Sequence, residues 1–71
     1  MTEEKDIEKT VDNTYFVNTL RRIADAVEAG EAFRIQVKGE RINIPKDASL
    51  AVAYEAEDGE HELELELTWK D

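Results

Sequence analysis

The 71-residue chain has no cysteine. That excludes disulfide staples and thiolate metal sites, so stability must come from apolar packing or from a partner subunit. Bases are scarce: 9 Lys and Arg stand against 18 Asp and Glu, for a net charge of −9. Such a surface repels nucleic acid and anionic lipid, which need basic contacts. No apolar run approaches the roughly 20 residues of a membrane span. The first residues, MTEEKDIEK, are acidic and lack the apolar core of a secretory signal. A cytoplasmic protein without membrane attachment is expected. There is one histidine, and no phosphate loop, nucleophile elbow, zinc signature or dinucleotide fingerprint. No enzyme chemistry, cofactor or metal is expected.

What is present is periodic. Residues 1–6 read as a flexible acidic tail, and 7–71 as one small domain. Ile7 to Val11 alternate weakly, as an edge strand would. Phe16, Leu20, Ile23, Ala24 and Val27 then share one face of a 3.6-residue period, predicting a helix over about 13–29. Asp12 suits its N-cap and Gly30 the left-handed residue after it. Tyr15 stands where a capping box would carry Glu.

After Gly30 the period drops to two. Phe33, Ile35 and Val37 form one apolar face, and Ile42 and Ile44 continue it. A turn centred on Gly39-Glu40 would pair Val37 with Ile42 and Ile35 with Ile44. A turn at Lys38-Gly39 would slip the register by two and keep the faces. Pro45 ends this hairpin, since it has no N–H for a ladder. Asp58-Gly59 is a type I′ signal and pairs Tyr54 with Leu63, Val52 with Leu65 and Leu50 with Leu67. The expected fold is α+β and two-layered, with one helix packed on an antiparallel sheet of four or five strands.

The stretches LRRIADAVEAGEAFRIQVKGERINIP and YEAEDGEHELELELTWK resemble the amphi-Trp domain family, small prokaryotic domains whose amphipathic last strand ends in tryptophan. The matching features are Leu20, Ala24 to Ala26, Gly30, Gly39, Pro45 and ELELELTW. The resemblance implies no activity, and no site residues follow from it.

Candidate functional residues come from the charge pattern. Between Glu55 and Glu66 lie seven acids and no base, whereas Arg34, Lys38, Arg41 and Lys46 make the preceding hairpin mildly basic. The hairpin register sets Glu55 opposite Glu62, and Glu64 and Glu66 opposite Ala53 and Ala51, giving an acidic shelf. The plain reading is a solvated face that resists aggregation, its acids paired with Arg34, Lys38 and Arg41. The functional reading is a docking surface for a basic protein segment, formed by Glu55, Glu62, Glu64 and Glu66. Carboxylates along a flat strand wrap a divalent cation poorly. Trp69 is expected to close the core edge over the helix end, or to anchor a partner. His61 is expected on the rim, facing Ala56. The function expected is therefore a small acidic non-enzymatic interaction or accessory module. A homodimer formed through a free sheet edge is the alternative.

Overall fold

A computed structural model describes residues 7–71; the tail expected over 1–6 lies outside the described residues. Helix α1 spans Asn13–Ala29. Strands β1 (Phe33–Val37) and β2 (Glu40–Ile44) form one antiparallel hairpin. Strands β3 (Ser49–Glu57) and β4 (Glu60–Thr68) form a second.

The helix begins and ends where its caps dictate. The Asp12 carboxylate accepts from the Tyr15 N–H at 2.9 Å, and Gly30 follows in the left-handed region with φ 69°. Tyr15 takes no part in a capping box. Its hydroxyl instead donates to the Gln36 carbonyl at 3.2 Å and ties the first turn of α1 to β1. Arg22 makes a second tie, its Nη2 donating to the Arg34 carbonyl at 2.8 Å.

Both hairpins turn on two left-handed residues, Lys38-Gly39 (φ 51° and 79°) and Asp58-Gly59 (φ 50° and 81°). Two positive φ angles mark the type I′ turn, whose twist matches that of the flanking strands. The first hairpin therefore departs from the Gly39-Glu40 centre. It pairs Ile35 with Ile42 and Phe33 with Ile44. Electrostatics favours this register. The other would set Lys38 directly opposite Arg41, and like charges facing across a ladder are destabilising. Here Arg41 faces Gln36. The second hairpin has the expected register throughout, from Ser49–Thr68 to Glu57–Glu60.

The strands form two separate two-stranded sheets rather than one four- or five-stranded sheet. Pro45 offers no ladder donor, and the turn closed by the Ala48 N–H on the Pro45 carbonyl lets β3 leave the edge of β2. The fifth strand expected over Ile7 to Val11 is not formed. That segment stays beside the start of α1 instead, where the Lys9 ammonium sits 4.8 Å from the Tyr15 ring centroid.

As a result the core is small. Ile44, 4% exposed, is the buried hydrophobic residue among those described. Leu20 and Ile23 on the helix and Phe33, Ile35, Val37 and Ile42 on the first hairpin are half-buried. The remaining apolar faces are open, including Phe16 and Val27 of the helix stripe and most of the inner face of β3 and β4.

Candidate functional site

The acidic shelf is a product of the β3–β4 register. Glu55 lies directly opposite Glu62. Glu64 is two residues along the same strand, so it is diagonal to Glu55 on the same face. One carboxylate oxygen from each of Glu55, Glu62 and Glu64 falls within 4.8 Å of the others. Glu66 continues the row beside Ala51, and Ala53 sits beside Glu64. These alanines leave the carboxylates uncrowded from the neighbouring strand.

Crowding of like charge pushes the Glu64 carboxyl above its ordinary value. The Glu62 charge is the main cause, followed by burial, then the charges of Glu66 and Glu55 and a hydrogen bond with Glu55. No ion pair among the described residues relieves this crowding. Arg34, Lys38 and Arg41 belong to the other sheet. Among the described residues, no ion pair joins them to the shelf. The expected cross-strand pairing with Glu55 is therefore not made. Arg34 and Arg41 instead border a shallow depression with Arg22.

The shelf's three clustered carboxylates are the one group of metal-ligating side chains among the described residues close enough to share an ion. All three project from one side of a two-stranded ribbon. Calcium takes about 6–8 oxygens arranged around it, and a single flat face does not supply that enclosure.

The opposite face of the same hairpin is apolar. Leu50 faces Leu67, Val52 faces Leu65 and Tyr54 faces Leu63. A groove of about 300 Å³ separates part of this face from α1, bordered by Phe16, Leu20, Ile23, Leu63 and Leu65. Toward the turn, His61 faces Ala56 as its register requires. Its Nδ1 lies 2.5 Å from the Tyr54 hydroxyl, with the rings stacked at 5.9 Å between centroids. This pair is missed when only direct partners are read. It is a diagonal neighbour pair, since Tyr54 faces Leu63 and His61 is two residues before Leu63.

Trp69 stands apart from the carboxylates. It follows β4, 39% exposed, and borders a gap with Phe33, Ile44 and Pro45. The structure thus brings Glu55, Glu62 and Glu64 together, sets Glu66 next in line, and leaves Trp69 at the other end of the strand. No helix among the described residues is long and apolar enough to cross a membrane.

A family model described as the Amphi-Trp domain matches the chain over residues 1–71. No curated protein matches it. No solved structure matches it either.

Proposed function

The chain belongs to the Amphi-Trp domain family, and from that premise we propose that it is a non-enzymatic cytoplasmic interaction module, which uses its acidic shelf to hold a basic segment of another protein. The observation that carries this reading is the gathering of Glu55, Glu62 and Glu64 within 4.8 Å, with no ion pair to offset them among the described residues. A Lys- or Arg-rich segment laid along β4 would relieve that repulsion and extend past Glu66. Arginine suits such a face best, because its planar fork meets carboxylates bidentately.

The test is binding of a fluorescent Lys/Arg-rich peptide at low and physiological salt. Replacing Glu55, Glu62 and Glu64 together by Gln should weaken binding at least tenfold. Replacing the exposed Glu8, Glu28 and Glu31 by Gln removes the same net charge elsewhere and should weaken it far less. Equal loss in both variants would mean that only net charge matters, and the shelf reading would fall.

Self-association is the second reading. With two strands in each ladder, every strand is an edge, and an edge invites pairing with another chain. The closed two-layer packing of the helix on one joined sheet is the arrangement that association would complete.

A further inference from the structure

We infer that Arg22, Arg34 and Arg41 form a binding site for the phosphate group of a small phosphate monoester. The site shares no residue with the acidic shelf. Arg41 faces Gln36, and Arg34 is two residues before Gln36 on the same strand. The two arginines are therefore diagonal neighbours on one face of the first hairpin, about 7–8 Å apart along the sheet. Arg22 reaches them from α1, its Nη2 donating to the Arg34 carbonyl at 2.8 Å. That bond fixes the guanidinium in place and leaves it further N–H groups to donate. The three arginines and Gln36 border a depression of about 350 Å³, which is room for a small ligand.

No ion pair among the described residues occupies these guanidiniums. Glu40, the acid of this hairpin, has the parity of Ile42 and Ile44 and so lies on the other face. Like charges around one depression repel one another, and an anion seated between them removes that repulsion. The geometry of the donors selects the anion. A guanidinium is planar and meets two oxygens at once. A carboxylate offers one such pair of oxygens. A tetrahedral phosphate offers several, facing different directions, so arginines arriving from two strands and from a helix can each engage it. A phosphate monoester also carries about −1.5 to −2 charges at neutral pH, against the three positive charges of the site.

Charge also limits the size of the ligand. The chain carries a net charge of −9, so a nucleic acid or an anionic membrane laid over the depression meets repelling surface beyond it. A small monoester stays within about 8 Å of the arginines, one Debye length at physiological salt, and feels mainly their field. Gln36 lines the depression with them. Its amide both donates and accepts, which matches the hydroxyl groups of a glycerol- or sugar-like ester.

Nuclear magnetic resonance titration of the nitrogen-labelled protein tests the inference, with inorganic phosphate and glycerol phosphate as probes at constant ionic strength. Both should shift the Nε–H resonances of Arg22, Arg34 and Arg41 saturably, and the ester should bind more tightly than the free ion. Replacing Arg34 and Arg41 together by Gln should weaken ester binding at least tenfold. Among the described residues neither side chain makes a hydrogen bond, so this variant should keep its melting temperature. Replacing Arg21 and Lys46 by Gln removes the same charge from outside the depression and should weaken binding less than twofold. Equal loss in the two variants would reduce the site to net charge and overturn the inference. So would the absence of a saturable shift with either probe. Inorganic phosphate binding more tightly than the ester would overturn the choice of a monoester.

Discussion

The two hairpins share a turn type and differ in almost everything else. The β1–β2 hairpin has five residues per strand, carries bases, and is fastened to α1 by Tyr15 and Arg22. Its inner face holds Ile44, and Trp69 borders a gap at its base. The β3–β4 hairpin has nine residues per strand, carries acids, and leaves its inner face open. Among the described residues, no side-chain hydrogen bond ties it to the helix. The same turn chemistry and the same alternation therefore build one hairpin that the chain itself completes and one that it does not. Alternation fixes which residues share a face. What covers that face is a separate matter.

The largest difference should appear at Ile44. Ile44→Ala is expected to cost about 2–5 kcal/mol, the usual loss for a buried aliphatic side chain, measured by urea denaturation. Leu50→Ala should cost well under 1 kcal/mol in a monomer, where the side chain is open. A Leu50 loss as large as that at Ile44 would show that the apolar face of the second hairpin is covered.

The turns should fail alike. Gly39→Ala and Gly59→Ala each place a Cβ at φ near +80°, where an L-residue is disfavoured by about 1–2 kcal/mol. Thermal melts of the two variants should show similar losses. A loss confined to Gly39 would mean that the acidic hairpin contributes little to the cooperative fold. Tyr15→Phe is a smaller probe. Removing the hydroxyl that donates to the Gln36 carbonyl should cost about 1 kcal/mol or less, and hydrogen exchange should speed up at the β1 edge in preference to β3.

The smallest effect is a dependence on pH. Because the Glu64 carboxyl is raised in the fold, the folded state binds more protons than the unfolded one between the ordinary carboxylate value and the raised one. Stability then falls as pH rises through that window and is regained on acidification. Glu64→Gln should raise the melting temperature at neutral pH and flatten this slope. An unchanged slope would show that the carboxylates do not crowd one another in solution.

Much of this was legible in the sequence because local chemistry decides it. Asp12 and Gly30 bound the helix, and Asp58-Gly59 sets the register that gathers Glu55, Glu62 and Glu64. The first hairpin was readable to within two residues. Its choice of turn depended on keeping Lys38 away from Arg41, a cross-strand effect that alternation alone does not rank. The joining of the sheets was not legible. Ile44 and Leu65 belong to equally apolar patterns, and only the path after Pro45 separates their ladders. Trp69 follows the leucine parity, yet its seat beside Ile44 and Pro45 depends on how the end of β4 meets the other hairpin.

The central proposal is that the carboxylates gathered on β3–β4 hold a basic segment of another protein. Binding of a fluorescent Lys/Arg-rich peptide at physiological salt measures this most directly. The expected result is binding that weakens at least tenfold when Glu55, Glu62 and Glu64 are replaced together by Gln. Equal weakening on replacing Glu8, Glu28 and Glu31 by Gln would contradict it.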